Sequence, residues 1–222
     1  MKLHSKIAVI ITLILGLQFG FSFLIFQVQS SENVSDEIVA ILETSMGNIT
    51  IRLREDMPIT VGNFLYLLEQ GVYNNTIFHR VIPDFMIQGG DPTGTGYGDP
   101  SIPKIQDEFS ENPENNKNYR GTIAMANTGA PNSGSSQFFI NVVYNSHLNN
   151  IHPVFGDIMD GMDVVDTIST VNTDSNRKPL SAITINGTQL IPEFPKWIIF
   201  PLLLVASFVA ILTKKRLSQS ST

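Results

Sequence analysis

The sequence predicts a mainly β domain, a barrel or a sandwich, set between two strongly apolar ends. Three observations carry this. Short apolar runs punctuated by Gly, Pro, Asn and Asp recur through the middle of the chain, while only two stretches there hold helical periodicity. That middle is about 160 residues long, enough for one domain with a full core. The ends are nearly unbroken hydrocarbon, which reads as membrane or targeting sequence rather than packed interior.

Residues 38–43 and 48–53 place apolar side chains on either side of Met46-Gly47-Asn48, which reads as a hairpin. Asp56 is placed to cap a helix, Pro58 suits its first turn, and Val61, Phe64, Leu65 and Leu68 line one face. Gly71 suits its C-terminal end. Residues 76–81 and 85–88 read as strands flanking Pro83-Asp84. Residues 89–103 form a long loop rich in Gly and Pro, a composition of functional or disordered loops rather than of core. Strands are expected at 121–126, 137–142 and 154–156, a short helix near 162–168 and a closing strand at 183–185. Pattern alone leaves barrel and sandwich both open.

The chain has 222 residues and no cysteine, so disulfides, a thiolate nucleophile and a cysteine-ligated zinc site are all excluded. The net charge of -6 is unevenly spread. Of the 14 Lys and Arg, six (Lys2, Lys6, Lys196, Lys214, Lys215 and Arg216) lie in the terminal segments. Residues 32–194 hold the other eight and all 20 Asp and Glu, a formal charge of -12 for that span. Such a domain repels phosphate backbones, so no nucleic acid is expected as partner. The acidity itself serves solubility.

Residues 1–30 begin with Lys2, His4 and Lys6 and continue as an apolar run in which Gln18 is the one strongly polar side chain. This is a signal peptide or an N-terminal membrane anchor. The run is long for a cleavable signal, and only Ser30-Ser31 offers small residues for cleavage. A polar linker is expected at 31–37, the folded domain at 38–190, a second linker at 191–196, a transmembrane helix at 197–213 and a basic cytoplasmic tail at 214–222. Trp197 suits a membrane interface, and Lys214-Lys215-Arg216 fits the positive-inside rule. Pro192-Glu193-Phe194 with the apolar run and basic tail resembles C-terminal sorting tails of some archaeal surface proteins. In those proteins the tail can be cut and replaced by a lipid anchor. Both ends place the domain at a cell membrane, on its extracytoplasmic side. Asn33, Asn48, Asn74 and Asn186 each open a short glycosylation pattern.

The most informative stretch runs Phe78-His79-Arg80-Val81-Ile82-Pro83-Asp84-Phe85-Met86-Ile87-Gln88-Gly89-Gly90-Asp91. One arginine precedes an aromatic, a thioether and an amide, and the run then breaks into glycines. Met125-Ala126-Asn127 and Ser135-Ser136-Gln137-Phe138-Phe139-Ile140 supply further amides and aromatics. Together these blocks resemble the cyclophilins, the cyclosporin-binding peptidyl-prolyl cis-trans isomerases, over residues 38–190. The resemblance implies a closed eight-stranded antiparallel barrel capped by two helices, here flanked by terminal hydrophobic helices. The interior would be filled with side chains, and the substrate groove would lie on the outer surface.

Rotation about a peptide bond meets a barrier of roughly 18–20 kcal/mol, and an unaided X-Pro bond takes tens to hundreds of seconds to isomerise. A catalyst need only favour the twisted state, in which the prolyl nitrogen becomes a better acceptor. No cofactor, metal or ATP is required. Arginine suits the task because it stays protonated and carries a rigid fork of donors.

By the resemblance, Arg80 is the catalytic arginine; outside such a motif it would read as a surface arginine in an ion pair. Phe85, Met86, Phe139 and Leu148 match the family's apolar pocket for the proline ring, although each alone is more often core. Gln88, Asn127 and Gln137 match positions that hydrogen-bond the substrate backbone, Ala126 lines the groove, and Gly94 falls in the Gly-Thr-Gly loop beside it. His152 matches the groove histidine. His147 stands where cyclosporin-sensitive members carry tryptophan, so weak or no cyclosporin binding is expected. His79 should point away from Arg80 and be structural. His147 and His152 lack a third nearby ligand, so no metal site is expected. The partners expected are proline-containing polypeptides, the membrane through the termini, and no second copy of the chain. The rival readings are a non-catalytic module that binds proline peptides and a structural surface-layer protein.

Overall fold

The computed structural model describes residues 37–191. The expected signal or anchor, most of both linkers, the transmembrane helix and the basic tail lie outside the described residues. Among the described residues, no helix is long and apolar enough to cross a membrane.

The chain forms β1 (Val39–Thr44), β2 (Gly47–Leu53), α1 (Pro58–Glu69), β3 (Thr76–Ile77), β4 (Arg80–Ile82) and β5 (Met86–Gly89). It continues as β6 (Thr122–Met125), β7 (Phe138–Asn141), β8 (Val154–Asp160), α2 (Met162–Ser169) and β9 (Thr184–Ile191). The strands make one curled antiparallel sheet in the order β3-β9-β1-β2-β8-β6-β7-β5-β4.

Two expectations change here. Nine strands stand among the described residues where eight were expected, because the run predicted at 76–81 is split at Phe78-His79. Its first half pairs with β9 and its second half with β5. The two ends of the sheet order are thus neighbours in the chain, and Ile77 bridges to Asp91 just beyond β5. The second change is at α1. Asp56 does not cap it; the N-cap is Met57, with no side-chain bond. Glu108 reaches across instead and accepts from the amides of Ile59 (3.0 Å) and Thr60 (2.8 Å). That puts a carboxylate at the positive end of the helix. Asp56 accepts from the Ser110 hydroxyl and from Asn115 Nδ2 at 2.7 Å.

The hairpin is found as predicted, with Thr44 opposite Gly47. The closing strand is longer than its apolar triplet because it pairs along the whole of β1. The core face of α1 presents Val61, Phe64, Leu67 and Leu68, whereas Leu65 is only half-buried. Phe64 sits among Tyr73, Phe155 and Phe138, with ring centroids at 5.1, 5.2 and 5.9 Å. Val165 and Ile168 of α2 join the same core.

What matters for function is the alternation along the strands. Val81, Ile87, Ile123, Met125, Phe138 and Ile140 point into the main core. Their neighbours Met86, Ala124, Phe139 and Val154 form a second buried cluster, with Ile82, Phe85, Ala126 and Leu148 packed against it.

Candidate active site

The second cluster is a candidate pocket on the face opposite the main core, and strand register aligns a polar row beside it. Arg80 pairs with Gln88 across β4 and β5, Gln88 with Phe139 across β5 and β7, and Phe139 with Ala124 across β7 and β6. Arg80 Nη1 donates to Gln88 Oε1 at 3.3 Å. Gln88 Nε2 donates to Gln137 Oε1 at 2.9 Å, and Gln137 Nε2 to the Gly96 carbonyl at 3.1 Å. A guanidinium, two amides and a loop carbonyl therefore run in one line along the outer face.

Arg80 is half-buried and lies over the Phe85 ring, 5.8 Å from its centroid. Burial, then the nearby Arg177 charge, lowers its proton affinity. Arginine nonetheless keeps its proton in proteins. A fixed cation with unused N–H groups thus stands over apolar surface.

Met86 and Phe139 are 1% and 4% exposed and form the pocket floor. Phe85 and Leu148 form half-buried walls. His152 packs edge-on against Phe139, with centroids 5.3 Å apart, and its Nδ1 lies 3.1 Å from the Met125 carbonyl. Burial lowers its proton affinity, only partly offset by that carbonyl. A neutral imidazole here shapes the pocket. His147 is exposed and stacks on Phe85 at 5.6 Å. Asn127 is half-buried at the rim; its Nδ2 donates to the Ile151 carbonyl at 2.8 Å.

A family model described as cyclophilin type peptidyl-prolyl cis-trans isomerase/CLD matches residues 39–190. The chain belongs to the cyclophilin-type peptidyl-prolyl cis-trans isomerases. It is 41% identical over 156 residues to peptidyl-prolyl cis-trans isomerase-like 1 of Aspergillus fumigatus, covering 69% of this chain and 95% of that one. It is 46% identical over 146 residues to the isomerase-like 1 protein of Rhizopus delemar, covering 64% and 87%. Among solved structures, it resembles a cyclophilin type peptidyl-prolyl cis-trans isomerase of Cryptosporidium parvum crystallised in the presence of the dipeptide Ala-Pro. That match has a TM-score of 0.65 and 34% identity, and covers 70% of this chain and 99% of that one.

This cyclophilin also carries a supporting shell that sequence reasoning missed. Asp91 is fully buried and organises the glycine-rich loop. Its Oδ1 accepts from the Thr93 amide (2.9 Å) and hydroxyl (2.8 Å), and its Oδ2 from the amides of Gly96 (2.7 Å) and Gly98 (3.2 Å). Those bonds place the Gly96 carbonyl that holds Gln137. An acid followed closely by threonines and glycines was the available signal. Gly94, predicted beside the groove, packs near Ile77 and receives a bond from Lys178 Nζ, so the contact to the amide row comes from Gly96.

Behind the pocket lies an asparagine network. Asn141 Nδ2 donates to Asn118 Oδ1 (3.1 Å) and Thr122 Oγ1 (2.9 Å). Asn145 Nδ2 donates to Asn141 Oδ1 (2.7 Å) and the Phe85 carbonyl (3.0 Å), while Asn118 Nδ2 donates to the Leu148 carbonyl (3.1 Å). Both pocket walls are thereby tied to buried amides. His79, expected to be structural, is 7% exposed, and neither ring nitrogen has a partner among the described residues.

Proposed function

We propose that this cyclophilin accelerates rotation of X-Pro bonds in polypeptides outside the cytoplasm, with Arg80 as the catalytic donor. The observation that carries this reading is the alignment of Arg80 with Gln88 and Gln137 over the apolar floor of Met86 and Phe139. A proline ring fits the chemistry of that floor and of the Phe85 and Leu148 walls. Gln88, Gln137 and Asn127 offer amides to the backbone on either side, and Ala126 leaves room for it. With the ring seated, the Arg80 fork reaches the prolyl nitrogen. As the bond twists, that nitrogen loses conjugation and accepts more strongly, so the donor favours the transition state over either ground state. The cation is fixed in advance by Phe85 and Gln88, so little reorganisation is needed at that moment.

The extracytoplasmic setting rests on the two apolar ends and their Lys and Arg placement. There the enzyme would speed a slow folding step without ATP. Exchange NMR on an X-Pro peptide, with the full-length chain and Arg80→Ala side by side, tests the core of the reading. Strong acceleration by the parent and a loss of about one hundredfold in the folded variant, roughly 2.7 kcal/mol, are expected. Peptide binding without acceleration would move the reading to a proline-recognition module. Placement is checked by protease protection of the domain in sealed cells.

A further inference from the structure

Carboxylate pairing divides the cations of the described domain. Arg54 is held by Asp157 at 2.6 Å, Arg120 by Asp166 at 2.7 Å, Lys117 by Glu114 at 2.6 Å and Arg52 by Glu37 at 3.2 Å. Among the described residues, Arg80, Arg177, Lys178 and Lys104 have no such partner. Three of those four, Arg80, Arg177 and Lys178, gather at the β4 edge of the groove. In a span whose formal charge is -12, that local excess of positive charge is conspicuous.

The backbone holds it there. The turn between Asp174 and Lys178 lies along β4, and the Arg177 carbonyl accepts from the Val81 amide at 2.8 Å, one residue from Arg80. Asp174 is committed to the turn: its Oδ1 accepts from the amides of Asn176 (2.8 Å) and Lys178 (2.9 Å). Arg177 itself is left-handed, with φ of 65°. That conformation is unfavourable for a residue with a long side chain, and Asn176, which enters it more readily, stands next door. Strain of this kind tends to persist where function uses it. Lys178 Nζ donates to the Gly94 carbonyl at 3.2 Å, joining the turn to the glycine-rich loop. The Arg177 side chain is exposed, makes no hydrogen bond among the described residues, and stands close enough to Arg80 to lower its proton affinity.

We propose that Arg177, with Lys178 beside it, is a specificity-determining residue that binds the carboxylate of an Asp or Glu flanking the target proline. This rests on the groove reading above. A proline seated under Arg80 carries its neighbours past the rim, where a guanidinium fork can take a carboxylate through two parallel bonds. The anion also relieves the repulsion between Arg80 and Arg177. An uncharged flanking residue gains neither effect.

The test uses the full-length chain in detergent and peptide pairs that differ only by Glu or Gln before the proline, or by Glu or Gln after it. Exchange NMR gives kcat/KM over the uncatalysed rate for each. For one of the two pairs the parent should favour Glu by roughly two- to fivefold, the size of an exposed ion pair. High salt should shrink that ratio. In Arg177→Gln the ratio should fall to about one, and Arg177→Gly, which keeps the left-handed turn, should behave alike. Equal rates for Glu and Gln in the parent, or a ratio that survives both substitutions, would overturn the proposal. No acceleration of any peptide would instead overturn the isomerase reading beneath it, and this inference with it.

Discussion

Asp91→Asn isolates the contribution of one buried charge to the groove. The side chains have the same shape, but asparagine offers one oxygen and one NH2. In the parent, each carboxylate oxygen serves one side of the loop: Oδ1 takes the Thr93 amide and hydroxyl, and Oδ2 takes the amides of Gly96 and Gly98. With its oxygen towards Thr93, the new side chain turns its NH2 towards two N–H donors. Two charge-assisted bonds at about 1.5–3 kcal/mol each are then lost. The loop is exposed at Thr95 and Gly96, so these amides regain water as it opens, and the net loss should be about 2–3 kcal/mol. Urea unfolding should show the midpoint falling by about 1–2 M, given a slope of about 1–3 kcal/mol/M.

The pH dependence has a definite sign. Burial by itself raises the Asp91 carboxyl, but the bonds from Thr93, Gly96 and Gly98 outweigh it and hold the carboxyl below its ordinary 3.8. As pH falls, the unfolded chain therefore takes up this proton first. The stabilisation is full above the ordinary value and is lost as pH drops through the folded one, so the gap between parent and variant should narrow in acid. KM should rise, because the loop presents the Gly96 carbonyl to Gln137. Unfolding free energies within about 0.5 kcal/mol of each other at neutral pH would refute the argument.

Three further outcomes are expected. The Tyr73 hydroxyl is wholly buried with no partner among the described residues, so Tyr73→Phe should raise stability by about 1 kcal/mol, read as a midpoint rise of roughly 2–4 °C in calorimetry. Burial depresses His79, with the Lys178 and Arg80 charges acting in the same direction against the opposing Asp91 charge. Stability should therefore fall as pH drops below the ordinary 6.5, and His79→Gln should flatten that slope between neutrality and about pH 5, leaving the slope due to His152. His147→Trp should strengthen cyclosporin binding, measured by titration calorimetry, whereas a nanomolar constant for the parent would contradict the expectation drawn from His147.

The candidate site residues were legible through the resemblance of their motifs to the cyclophilins, and regular β-strand geometry accounts for how they meet. Arg80, Gln88 and Phe139 follow one another in register, and their motifs sit at strand positions that a period of two makes countable. The parts that were missed act at a distance or resemble ordinary loop. Glu108 caps a helix whose start it follows by some fifty positions, and nothing local distinguishes it from Asp56. The break at Phe78-His79 was hidden because residues 76–81 read as one continuous strand; the partners on either side of it differ. Asn118 and Asn145 look like turn residues, and Asn141 like an ordinary strand position, until the fold buries them together.

The same regularity conceals what β6 and β7 do. Each is buried at every position, so their composition reads as core alone. Yet Met125, Phe138 and Ile140 pack inward, while Ala124 and Phe139 pack under Leu148 on the opposite face. Both faces of these strands need apolar residues, for different reasons. The inner face holds the sheet together. The outer face supplies the pocket and is fixed by the Asn141 and Asn145 bonds that run to Thr122 and the Phe85 carbonyl. A shallow pocket on a sheet surface has no second layer to pin its walls, and here buried amides do that work. The arrangement fixes the Phe85 and Leu148 walls while the side chains of the second cluster stay outside the main core.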